Sequence, residues 1–180
     1  MHTYHLRCRM LVPLPIARVF EVFENPYNLA KITPPWLSFR VISHDKVVMR
    51  PGAEIEYRIR WLGIPLYWKT RITGYQPPFS FTDEQERGPY PLWRHSHTFR
   101  PTPEGAVVGD HVEYALPFGP LGRLAHKLVV GEQLRRIFVY RQQKLAEMFG
   151  SGCRTLLAPE ISSRGESLQE EEATDGSVRI

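Results

Sequence analysis

Apolar and polar residues alternate along most of the first two thirds of the chain, and the pattern turns helical in only two places. Residues 3–12 alternate as a strand does. Pro13 and Pro15 end that run, and Pro15 suits the first turn of a helix, where its missing N–H is not needed. Ile16, Val19, Phe20 and Phe23 then recur at helical spacing, and a second short helix over residues 27–32 stops at Thr33-Pro34-Pro35. A meander follows. Residues 39–44 form a candidate strand, extended by 47–49. Residues 54–61 place Ile55, Tyr57, Ile59 and Trp61 on one face and Glu54, Glu56, Arg58 and Arg60 on the other, as a half-buried antiparallel strand does. Runs over 66–75, 79–86, 92–100 and 106–116 continue it, parted by turns at Pro77-Pro78, Gly88-Pro89 and Pro103-Glu104-Gly105.

After residues 117–120 the helical period returns. Leu121, Leu124, Leu128, Leu134, Phe138, Leu145 and Met148 read as the apolar stripe of one amphipathic helix of about 28 residues, roughly 42 Å long. Arg123, Lys127, Arg135, Arg136, Arg141 and Lys144 cover most of the rest. Gly131 interrupts it at a cost of about 1 kcal/mol relative to Ala, which points to close packing or a kink, and Gly150 suits the C-terminal cap. Residues 151–180 are polar, acidic and aperiodic, and are expected to be a disordered tail behind a single domain over residues 1–150. The predicted class is α+β: a strand, two short helices, six more strands and a long C-terminal helix, with a curved antiparallel sheet of about seven strands.

Composition narrows the function. The chain has 180 residues, 42% of them hydrophobic and 12% aromatic, with four Trp, which suits a lined pocket as well as a packed core. The net charge of +4 is uneven, because the first 150 residues hold 20 basic against 13 acidic side chains. Those cations are scattered and not interleaved with aromatics, so no nucleic-acid partner is expected. No segment has the apolar length of a membrane span, and the N-terminus lacks the apolar run of a signal peptide. Cys8 and Cys153 fit no disulfide framework or zinc spacing, and the protein reads as cytoplasmic. The sequence contains no nucleophile elbow, dinucleotide fingerprint or phosphate-binding loop, and no cofactor is expected.

The chemistry lies on the strands. By the two-residue period Trp93, His95, His97 and Phe99 share the apolar face of one strand, Phe81 shares a face with Asp83 and Gln85, and Tyr114 shares one with Asp110. The turn at 103–105 permits a register with His97 opposite Asp110 and His95 opposite Val112. The turn before it brings Asp83 and Gln85 near both histidines. A polar cluster of Asp83, Gln85, His95, His97 and Asp110 is therefore expected inside an aromatic surround. It has three readings: mutually satisfied buried groups, a polar corner that orients a ligand, or an acid–base set in which His95, His97 and Asp110 are catalytic. His95 and His97 at i, i+2 are a conceivable zinc pair, but the sequence offers no further histidine beside them, and no metal is expected.

The order of elements, with residues 81–90 (FTDEQERGPY), 92–99 (LWRHSHTF) and 110–122 (DHVEYALPFGPLG), resembles the helix-grip superfamily. That group includes START lipid-transfer domains, polyketide cyclases and the birch pollen allergen, and the resemblance, over residues 3–149, is to its bacterial cyclase/dehydrase-like, ligand-binding branch. It implies a cavity between sheet and helix for a small hydrophobic or amphipathic molecule. The expected lining is Tyr57, Trp68, Phe81, Asp83, Gln85, Trp93, Phe99 and Tyr114 from the sheet and Leu128, Gly131 and Leu134 from the helix. Trp36 and the segment 116–121 are candidate gates. Three functions stay open: a carrier of a hydrophobic small molecule, a cyclase- or dehydratase-type enzyme using the His/Asp cluster, and an interaction protein docking an acidic partner or membrane surface through basic residues of the last helix.

Overall fold

Among the described residues, eight antiparallel strands form one curved sheet, and a long C-terminal helix lies along it. The computed structural model describes residues 1–44 and 46–163. The strands are β1 (Thr3–Val12), β2 (Arg40–Val41), β3 (Glu54–Trp61), β4 (Ile64–Gln76), β5 (Ser80–Arg87), β6 (Leu92–Thr102), β7 (Gly105–Ala115) and β8 (Arg154–Ser163). Their order is β2-β3-β4-β5-β6-β7-β1-β8. The first helix, α1, spans Ile16–Glu24 and buries Val19, Phe20 and Phe23. Instead of a second α-helix, two 3-10 turns follow, Pro26–Ala30 and Pro35–Leu37, each with Pro in its first turn. The expected strand over 39–44 shrinks to the two residues of β2.

The alternating pattern sets the register. In β6 His95, His97 and Phe99 are buried while Arg94, Thr98 and Arg100 are exposed. β6 and β7 pair with His95 opposite Val112 and His97 opposite Asp110, and β5 sets Asp83 opposite His95. The tight β6–β7 turn needs Gly105, whose φ is +141° and where a Cβ would collide with the Val12 carbonyl oxygen. Phe99 anchors the core beneath, edge-on to Phe20 at 5.2 Å and to Phe23 at 5.1 Å.

The last helix is not continuous. It runs as α2 (Pro120–Ala125), a π-helical turn (His126–Val130) and α3 (Gly131–Phe149). The π turn seats His126 against the sheet, its ring 3.5 Å from that of Tyr4 and its Nε2 2.7 Å from the Tyr114 hydroxyl. Gly131 permits this packing, since a Cβ there would lie 3.1 Å from His126 Cε1. The expected stripe is corrected in its first half. Leu124 is 54% exposed and Leu128 67% exposed, so Leu128 is not part of a cavity roof. The step of six from Leu128 to Leu134 rotates a helix by about 240°, off the face, whereas Val130, Leu134, Phe138, Arg141 and Leu145 keep steps of three and four and are buried.

β8 departs from the expected tail. Arg154–Ser163 pairs antiparallel with β1 at the sheet edge, where Pro159 is tolerated because an edge strand need not donate on both sides. Gln142 of α3 ties the two strands together, donating to the carbonyls of Arg9 at 3.3 Å and Leu157 at 3.2 Å. The rest of the expected tail, 164–180, lies outside the described residues.

Candidate functional site

Between α3 and the concave face of the sheet lies a cavity of about 180 Å³. One side is aromatic: Trp68 stacks on Tyr57 at 5.8 Å and meets Trp93 edge-on at 5.2 Å, and Tyr90 lies 4.9 Å from Trp93. Phe23, Leu29, Ile32 and Leu37, from α1 and the segment after it, line another side, and α3 contributes Leu134, Ile137, Phe138 and Arg141. Thr70, Asp83, His95 and His97 form the polar end.

Asp110 sits behind that end, only 6% exposed, with one carboxylate oxygen shared by three cations or potential cations. His95 Nε2 donates to its Oδ1 at 2.9 Å. His97 Nδ1 lies 3.0 Å from the same oxygen but is not aimed at it, so the contact is an ion pair and not a well-directed hydrogen bond. Arg141 Nη1 lies 3.8 Å away. Cys8 Sγ approaches Oδ2 at 3.7 Å from β1. On the cavity side Asp83 Oδ2 stands 3.9 Å from His95 Nδ1 and 3.6 Å from His97 Nε2, while the Thr70 hydroxyl donates to Asp83 Oδ1 at 3.0 Å.

These environments drive the two imidazoles apart. Burial, reinforced by the neighbouring His97, pushes His95 down to about 4, so its neutral form is favoured. Burial opposes the charge on His97 as well, but Asp110 and Asp83 outweigh it and raise that group above its ordinary value. Burial would raise Asp110, yet Arg141, His95 and His97 hold it well below the usual carboxylate range. Asp83 is likewise lowered against burial by the two histidines. Two cavity-lining residues, Trp68 and Arg141, have buried donors (Nε1 and Nε) with no hydrogen-bond partner among the described residues.

The family comparison decides the kinship. Residues 12–138 match the family described as polyketide cyclase / dehydrase and lipid transport. The chain belongs to this family. No curated protein matches the sequence. Among solved structures the family member is similar to protein CV1439 from Chromobacterium violaceum, with TM-score 0.62 and 19% identity over 81% of this chain and 96% of that one. TTHA0849 from Thermus thermophilus has TM-score 0.60 and 21% identity over 81% and 96% of the two chains. Ginseng major latex-like protein 151 from Panax ginseng has TM-score 0.59 and 14% identity over 83% and 99%. At these identities the likeness is one of fold, that of the helix-grip superfamily.

Of the residues singled out from this cyclase/dehydrase-family sequence, Tyr57, Trp68, Phe81, Asp83, Trp93, His95, His97 and Leu134 line the cavity, and Asp110 backs the histidines. Phe99 and Tyr114 belong to the packed core, because their strand positions fall under α1 and His126. Gln85 turns to the β5–β6 connection, where it donates to the Tyr90 carbonyl. Gly131 packs on His126, and Leu128 faces outward. Trp36 meets Tyr140 of α3 edge-on at 5.6 Å, whereas residues 116–119 line a separate cleft with Met1, His2 and Tyr4. Arg141 lies inside, not on the basic outer face expected for it. Its spacing, three after Phe138 and four before Leu145, is the signal that would have placed it there. No helix among the described residues is long and apolar enough to cross a membrane.

Proposed function

We propose that the protein binds a compact, largely apolar small molecule carrying a hydrogen-bond-accepting, anionic group, seated between α3 and the sheet. The observation that carries this reading is the pair of buried donors without a partner among the described residues, Trp68 Nε1 on the aromatic sheet side and Arg141 Nε on α3. An unmet buried donor costs about 1–3 kcal/mol, more when charged, and a ligand carboxylate or enolate oxygen would relieve it. A cavity of about 180 Å³ favours a ligand of one or two rings over a long acyl chain. Both cysteines are free, which suits a reducing, cytoplasmic setting. The test is mass spectrometry of small molecules released when protein purified under native conditions is denatured. Recurrence of one acidic, ring-bearing species supports the reading. Recurrence of neutral lipids alone would sink it.

A second reading has its own support. Two adjacent imidazoles shifted in opposite directions, His95 down to about 4 and His97 above its ordinary value, are the arrangement acid–base chemistry uses. In that case His97→Gln removes turnover of the extracted molecule while leaving its affinity in place, and unchanged turnover excludes it.

A further inference from the structure

We propose that Asp83, His95 and His97 bind a divalent transition-metal ion, with Thr70 and Asp110 orienting the three ligands and a further coordination position open to the cavity. The proposal goes beyond the ligand reading and does not depend on it, since an ion can enter whether or not an organic molecule is bound.

Geometry carries the argument. One donor atom from each of the three residues lies within 4.8 Å of the other two. Asp83 Oδ2 is 3.6 Å from His97 Nε2 and 3.9 Å from His95 Nδ1, too far to hydrogen-bond well with either. Around a tetrahedral ion with bonds of about 2.0–2.1 Å, neighbouring donors stand roughly 3.3 Å apart. Asp83 Oδ2 therefore needs to approach the two ring nitrogens by roughly 0.3–0.6 Å, and no two of the three donors are more than 4.8 Å apart, a closure that side-chain rotation has to supply.

Each ligand already has a second group beside it. Asp110 Oδ1 accepts from His95 Nε2 at 2.9 Å and lies 3.0 Å from His97 Nδ1 as an ion-pair contact, which leaves His95 Nδ1 and His97 Nε2 on the side of Asp83. A carboxylate behind a ligating histidine is the usual outer shell of a metal site. Thr70 occupies Asp83 Oδ1 and leaves Oδ2 free. The charges facing the site are the two carboxylates against the single guanidinium of Arg141, a negative balance. Two imidazoles and one carboxylate suit zinc or iron(II), and three protein ligands leave a coordination position for water or an incoming oxygen.

The test uses the full chain without tag histidines and with His5→Gln and His111→Gln. His5 Nδ1 and His111 Nε2 of that half-buried pair stand 3.2 Å apart, close enough to compete for an ion. Titration with Co(II), followed by its ligand-field absorption, and with Zn(II) by calorimetry is expected to give one ion per chain. X-ray absorption is expected to report two imidazole nitrogens in the first shell at about 2.0–2.1 Å. On the same background Asp110→Asn should weaken binding about 10–100-fold, and Asp83→Asn and His97→Gln by more, with circular dichroism confirming the fold. Absence of one-to-one binding on the background chain overturns the proposal, as does a first shell with fewer than two imidazoles. Binding that survives in folded Asp83→Asn and His97→Gln chains also overturns it. Because the chain is titrated without an organic ligand, failure here leaves the ligand reading untouched.

Discussion

Replacing Arg141 by Met separates what the guanidinium does for the fold from what it does for a ligand. At 3.8 Å from Asp110, and at an effective dielectric constant of about 20, its Coulomb attraction is about 4 kcal/mol. Removing a guanidinium from water costs several kcal/mol of its own, so attraction and desolvation nearly cancel. Met fills much of the same length without a charge, and His95 and His97 still face Asp110. Because the buried Asp110 carboxylate stays behind without its guanidinium, Arg141→Met is nonetheless expected to lower the urea unfolding free energy by about 3–5 kcal/mol, the two imidazoles offsetting part of it. Ligand binding should respond differently. A charge-assisted hydrogen bond contributes about 1.5–3 kcal/mol, equivalent to about 10- to 150-fold in affinity. Calorimetry with 2-naphthoate and its neutral isostere 2-naphthamide isolates that contribution. The native chain should prefer the acid, and the variant should lose the preference while still binding the amide. Equal affinities for the two compounds in the native chain, or an undiminished preference in the variant, would refute the role assigned to Arg141.

Other consequences follow from packing and burial. Phe99→Ala should cost about 3–5 kcal/mol in urea unfolding, because the ring is 1% exposed and wedged between Phe20 and Phe23. Burial, then the nearby Asp110, pushes the Cys8 thiol far up, while Cys153 is raised by partial burial alone. Iodoacetamide at mildly alkaline pH should therefore alkylate Cys153 well before Cys8 in peptide maps of the folded protein, and equal labelling would contradict the assignment. Ending the chain at Gly150 removes β8 and the Leu157 carbonyl that Gln142 uses, so the urea midpoint should fall. An unchanged midpoint would mean that β8 contributes nothing to the sheet.

The strands are legible because alternation is a local signal with a large burial contrast. His95 and His97 can be put on the inner face, and His97 opposite Asp110, from the two-residue period and the length of one turn. What depends on a helix's rotation is less legible. A π turn shifts phase without changing composition, so the pattern assigns Leu128 to a face that Val130 occupies. Arg141 escapes notice because a charged side chain reads as solvated unless its angular position is worked out. β8 is hidden by Pro159 and by the acidic stretch beyond it, which make the whole segment look unstructured. Asp83 can be placed near the histidines, but its distances to both ring nitrogens, on which the metal proposal rests, exist only in three dimensions.

The position of β1 bears on how this protein is made. Its neighbours in the sheet are β7 and β8, drawn from residues 105–115 and 154–163. β1 thus leaves the ribosome well before either partner, its first edge waiting until residues 105–115 have emerged and its second until residue 163 has. Through that interval Leu6, Cys8 and Met10, later buried, are exposed on an unpaired strand, a situation that invites nascent-chain chaperones. Synonymous changes that slow translation between residues 115 and 163 would lengthen that interval, and with it the fraction of chains lost to aggregation.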